Sequence, residues 1–87
     1  MHATLVYQSP IRLTWHQALS YCAHLGMRLP NLADFETMNI DVSEWIWLSD
    51  QSDGIQAMRG LPATGDVILV PKWRKHFAHP NVDSCGH

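Results

Sequence analysis

The stretch Leu13-Thr14-Trp15-His16-Gln17-Ala18-Leu19-Ser20-Tyr21-Cys22-Ala23-His24-Leu25-Gly26 decides the fold. Thr14 is an N-cap residue with Gln17 three positions later, the spacing of a capping box. Trp15, Ala18, Leu19, Cys22 and Leu25 recur at one-face helical spacing, and Gly26 is a stop signal. The pattern predicts an amphipathic helix with Cys22 on its buried stripe.

Working outward, Ala3 to Tyr7 reads as a short strand ended by Ser9-Pro10. Arg28-Leu29-Pro30 is a tight connector. Asn31 offers a second N-cap, and Leu32, Phe35 and Met38 predict a short second helix. Glu44-Trp45-Ile46-Trp47-Leu48-Ser49 is a continuous apolar run bounded by polar residues, as in a buried strand. Ser52-Asp53-Gly54 turns the chain into a hairpin partner over Ile55 to Arg59. Gly60 to Gly65 reads as loop, Asp66 to Val70 as a strand closed by Pro71, Lys72 to Pro80 as loop, and Asn81 to Gly86 as a last strand. Trp15, Leu19, Trp45 and Leu48 are the expected core. The order is that of an α+β domain.

Length and composition fit one domain: 87 residues, 46% of them hydrophobic and 16% charged. A formal charge of −2 gives no general attraction to nucleic acid. No apolar run approaches the roughly 18 residues of a membrane span. Six of the eight acidic residues lie between Asp34 and Asp53, where no Lys or Arg occurs. Lys72, Arg74 and Lys75 cluster near the end. Two solvated faces of opposite sign explain this, and so does a steered contact surface.

Only two cysteines occur, Cys22 and Cys85. If bonded, they close a loop of about 60 residues, a crosslink of roughly 3 to 4.5 kcal/mol in chain-entropy terms. A bond implies export. The opening Met1-His2-Ala3-Thr4 lacks the pattern of a signal peptide, so the expectation is a piece excised from a larger exported protein.

Thr14-Trp15-x-x-Ala18-x-x-x-Cys22-x-x-Leu25-Gly26 resembles the first-helix signature of C-type-lectin-like domains. Trp45-Ile46-Trp47-Leu48-Ser49-Asp50 is similar to their central strand motif, with Trp47 where animal members usually carry Gly. The Arg28-Leu29-Pro30 connector and the Thr64-Gly65-Asp66-Val67 strand start look most like the distal domain of intimin- and invasin-type bacterial adhesins. The resemblance spans residues 5–86. It implies an α+β, C-type-lectin-like fold: two N-terminal helices packed on short antiparallel strands, with one disulfide, Cys22 to Cys85. It further implies an extracellular, monomeric domain at the tip of an outer-membrane-anchored rod, binding a host-cell receptor protein. Two alternatives keep the fold: a secreted exoprotein docking to a bacterial outer-membrane partner, or a glycan binder working without calcium.

Animal lectins of this fold hold calcium through a Glu-Pro-Asn or Gln-Pro-Asp triplet and a Trp-Asn-Asp strand. Here His79-Pro80-Asn81 lacks the leading carboxylate or amide, and Trp-Asn-Asp is missing. Calcium takes six to eight oxygen ligands, so no metal or other cofactor is expected. His76 and His79 have His-x-x-His spacing with His87 nearby, but the simpler reading is exposed loop and tail residues. His16 and His24 are read as helix-surface positions. Asp83 and Ser84 are sequence neighbours that alternate across a strand, so no nucleophile–base pair forms and no enzyme is expected. Lys72-Trp73-Arg74-Lys75-His76-Phe77 alternates cations and aromatics. Such a strip suits single-stranded nucleic acid or a protein hot spot, or its rings fold back over the core. In an exported domain, protein contact is preferred. The partner-binding candidates are therefore Trp73, Arg74, Lys75, His76 and Phe77, helped by Asn81.

Overall fold

The computed structural model describes residues 8–37 and 43–80. Two helices, α1 (Trp15–His24) and α2 (Leu32–Thr37), precede three strands, β1 (Ile46–Gln51), β2 (Gln56–Leu61) and β3 (Asp66–Pro71). The strands form one antiparallel sheet in the order β1-β2-β3. The α+β class is as the sequence predicts. The expected strands at Ala3–Tyr7 and Asn81–Gly86, and Met38, lie outside the described residues.

Local chemistry sets the ends of α1. Thr14 Oγ1 accepts from the Gln17 N–H and the Gln17 side chain accepts from the Thr14 N–H, completing the capping box. At the other end the Met27 N–H donates to the Cys22 carbonyl and the Gly26 N–H to that of Ala23. That is a Schellman closure, and Gly26 takes the positive φ of 74° it requires. Trp15, Ala18 and Cys22 are buried, whereas Leu19 is half-buried and Leu25 exposed. Helix α2 is capped by a reciprocal pair: Asn31 Oδ1 accepts from the Asp34 N–H, and Asp34 Oδ2 from the Asn31 N–H. Asp50, at the end of β1, takes the N–H of Leu32 at 2.7 Å.

The helices pack on opposite faces of the sheet, because adjacent strand residues point to opposite sides. Trp47, Ala57 and Val70 meet Trp15, Ala18 and Cys22 of α1, together with Leu29 and Ala78. Ile46 and Leu48 meet Phe35 of α2, with Met58, Val67 and Phe77 around them. Strand β1 is thus covered on both sides, which is why its sequence is continuously apolar. The register slips between Trp47 and Gln51 on β1, while β2 and β3 pair without a break.

Several expectations are corrected here. Trp47, not Trp45, is the central Trp: it is fully buried and its Nε1–H donates to the Leu13 carbonyl. Trp15 and Leu48 are core as expected, and Trp15 Nε1–H donates to the Leu48 carbonyl. Gly60 and Leu61 are not loop but the end of β2. Lys72 to Pro80 is anchored rather than a free loop, through a bridge of His76 to Leu13 and one of Phe77 to Ile46. Ser9 helps hold it: its N–H donates to the Ala78 carbonyl and its Oγ accepts from the Ala78 N–H.

Candidate functional site

Three segments distant in sequence converge at one end of the sheet. The β1–β2 turn is pinned by Asp53, whose Oδ1 accepts from the N–H groups of Ile55 (2.7 Å) and Gln56 (2.9 Å). Those two bonds, ahead of the nearby Lys72 charge, hold the Asp53 carboxyl below its ordinary pKa. The turn leaves Ile55 68% exposed. The turn after β3 is tied to it, because the Lys72 N–H donates to the Ile55 carbonyl at 2.8 Å. The Lys72 carbonyl in turn accepts from the N–H of Trp15, the first residue of α1.

Lys72 is the keystone of this arrangement. Its Nζ donates to Gln51 Oε1 at 2.5 Å and lies 4.4 Å from the centre of the Trp15 ring. Immediately after it the chain turns, the Arg74 N–H donating to the Pro71 carbonyl. Trp73 sits at the tip, 69% exposed, with the Arg74 guanidinium 5.7 Å from its ring centre. Thr14, His16, Gly54, Ile55, Lys72 and Trp73 line an open groove of about 390 Å³. A rigid frame therefore presents one large aromatic ring, one aliphatic side chain and several cations to solvent.

The six candidates from the Lys72–Asn81 segment do not act as one surface. Trp73, Arg74 and Lys75 are exposed together. His76 is buried, and Phe77 packs half-buried against the α2 side of the core. Asn81 lies outside the described residues. His76 is held by a backbone pair with Leu13 (2.8 and 2.9 Å) and stands edge-on to Trp47, ring centres 4.9 Å apart. Its Nε2 faces Arg59 Nη1 at 3.2 Å. Arginine only donates, so His76 accepts with an unprotonated Nε2. Burial, then the charges of Arg59, Arg74 and Arg12, push its pKa down to about 4. His79 is also buried, and burial lowers its pKa. Neither is the exposed loop histidine expected, while His16 and His24 are on the surface as predicted.

Ile55, Thr14, His16 and Gly54 were not among the sequence candidates. An apolar residue directly after Ser-Asp-Gly was the available signal for Ile55; nothing local marks the others. The acidic run also takes a different meaning. Asp34 and Asp50 cap α2, Asp53 pins a turn, and Glu44 reaches Arg12 at 3.4 Å. Three of these carboxylates, Asp34, Asp50 and Asp53, hold backbone N–H groups. Of the cysteines, Cys22 is fully buried on α1, and Cys85 lies outside the described residues. No group of three or more His, Cys, Asp or Glu poised for a metal occurs among the described residues. No helix there is long and apolar enough to cross a membrane. No protein-family model matches the chain, and no curated protein matches it in sequence.

Proposed function

We propose that the chain is an extracellular recognition module that binds a protein partner through a surface centred on Trp73. The carrying observation is that this ring is 69% exposed on a turn held by backbone hydrogen bonds to two other segments. Burying an exposed Trp against a partner is strongly favourable, and a pre-formed turn has little ordering entropy to lose. Ile55 extends the apolar contact, and Lys72, Arg74 and Lys75 set a positive rim that speeds encounter with an acidic partner.

The resemblance to the lectin-like domain of intimin- and invasin-type adhesins supports display on a bacterial surface and a host-cell receptor as partner. A capped first helix and antiparallel hairpins suit that domain. A bacterial outer-membrane partner would use the same surface. The groove beside Trp73 also carries Thr14 and His16, polar groups able to bond sugar hydroxyls, which favours a calcium-independent glycan as the second reading.

Binding to intact host cells and to bacteria, each before and after enzymatic glycan removal, separates these readings. Under the leading one, binding survives deglycosylation and chelation by EDTA. Trp73→Ala weakens it by about 2 kcal/mol or more. Replacing Arg74 and Lys75 by Ser slows association and flattens its salt dependence. Unfolding transitions stay within about 0.5 kcal/mol of the parent in both variants. Full binding by Trp73→Ala refutes the assignment of the surface, and loss of binding on deglycosylation moves the function to glycan.

A further inference from the structure

The two edges of the sheet are treated differently by the fold. On the β1 side, the Trp47 N–H donates to the Phe77 carbonyl and the Ser49 N–H to that of Pro30, so that edge is covered. Strand β3 forms the opposite edge. Among the described residues no strand pairs with its outer side, and no backbone hydrogen bond from outside the β2 ladder reaches residues 67–70. Edge strands usually carry a Lys, an internal Pro or a bulge that prevents further pairing. Residues 67–70 are Val-Ile-Leu-Val, with no charge and no bulge against β2. Ile68 and Leu69, which project to opposite faces, are 42% and 41% exposed.

We infer that this edge pairs with the same edge of a second copy, antiparallel, about a two-fold axis at Leu69. Charge selects the second copy and the direction. Asp66 stands at the start of the strand, and Lys72, Arg74 and Lys75 follow its end at Pro71. Antiparallel pairing sets each Asp66 beside the cationic turn of the other copy, whereas parallel pairing stacks like on like. The two Leu69 side chains then meet on one face and each Ile68 lies opposite a Val70 on the other, and three strands from each copy form one continuous sheet. Such an interface is isologous, and with the β1 edges covered the assembly stops at two. A single short strand buries far less than the roughly 1,600 Å² of a standard interface, so the dimer is weak in dilute solution. It forms where copies are crowded, as on a densely decorated surface. This replaces the expectation of a monomeric domain and rests on the strand edge and the charges at its ends, not on the Trp73 ring.

Sedimentation equilibrium from about 10 μM to 1 mM spans the dissociation constants of such a contact. The expected result is an average mass rising with concentration toward twice that of the chain and no further. Leu69→Lys puts a charge on the axis at an exposed position opposite Met58, and weakens association at least about tenfold with an unchanged unfolding transition. Asp66→Lys, at the exposed strand start, weakens it as well, most at low salt. Trp73→Ala leaves it in place, which separates this test from that of the recognition surface. A chain monomeric at every concentration overturns the inference. So does a dimer indifferent to both Lys variants, growth beyond two copies, or a monomer whose residue 67–70 amides resist exchange because another segment of the same chain occupies the edge.

Discussion

Gly60→Ala adds a single methyl group to the middle of the contact that holds α2 on the sheet. Gly60 is buried near the end of β2, opposite Ile46. An ideal Cβ there lies 2.6 Å from Phe35 Cε1, 2.7 Å from Cζ and 3.0 Å from Cδ1. Carbon–carbon contacts are most favourable at about 3.5 to 4.0 Å, so the ring must withdraw by about 1 Å. It has little freedom to do so. Phe35 is 5% exposed, and its helix is only six residues long, anchored by Asp50 at Leu32 and by the Asn31–Asp34 pair. Overpacking of this kind costs about 1 to 3 kcal/mol. Replacing Gly within a strand returns about 0.5 to 1 kcal/mol of backbone entropy, which leaves a net loss of up to about 2.5 kcal/mol, with mid-range values of about 1 kcal/mol. In a domain of this size a loss of about 1 kcal/mol lowers Tm by about 4 to 8 °C. Thermal and urea unfolding followed by Trp fluorescence measures it directly. The sharper assay is a double-mutant cycle with Phe35→Leu, which frees the space the methyl group needs. Coupling of about 0.5 kcal/mol or more, with the double variant closer to Phe35→Leu than additivity allows, is expected. A neutral or stabilising Gly60→Ala with additive behaviour would refute the packing of α2 against β2.

Trp47→Ala removes the largest fully buried side chain and one of the two hydrogen bonds to the Leu13 carbonyl, so a loss of about 3 to 5 kcal/mol is expected in urea titration. Trp45→Ala, whose half-buried ring lies under the Arg59 guanidinium at 4.2 Å, costs less; the reverse ranking would place the wrong Trp at the centre. His76 and His79 are buried neutral, so between the unfolded pKa of 6.5 and the folded value near 4 for His76 the unfolded chain binds more protons. Stability is therefore complete above about pH 6.5 and falls as pH drops toward 4, by at most about 1.4 kcal/mol per pH unit for each histidine. Unfolding midpoints at intervals from pH 7 to 4 test this, and a flat profile, or one rising toward acid, contradicts the buried neutral assignment. The proposed export predicts a bond between Cys22 and Cys85, with Cys85→Ser costing about 4 kcal/mol from a loop of about 60 residues. Alkylation of two thiols in the denatured, unreduced native protein removes that pairing.

What could be known from the chain alone was whatever neighbouring residues settle between themselves. Thr14 and Gln17 cap α1, and Gly26 ends it, because each partner lies within four positions of the groups it satisfies. The same holds for the hairpins, where Ser52-Asp53-Gly54 and the Gly65 turn (φ 83°) announce the reversals. From these local rules follow an α+β class, two early helices and three strands close to their observed bounds.

Tertiary structure alone decided which Trp of a Trp-Ile-Trp run is central, because a strand covered by α1 on one face and α2 on the other shows no alternation to read. It decided that Gly60 is a strand residue, since the reason for a missing side chain is the Phe35 ring, far away in sequence. His76 and His79 went inside because the segment carrying them bridges to Leu13 and Ile46, a pairing no local signal encodes. The groove has the same origin. Ile55, Lys72 and Trp15 become neighbours through two backbone hydrogen bonds that join three separate segments. A groove of this kind is a property of chain crossing, and a sequence shows the residues that will line it only after the crossing is known.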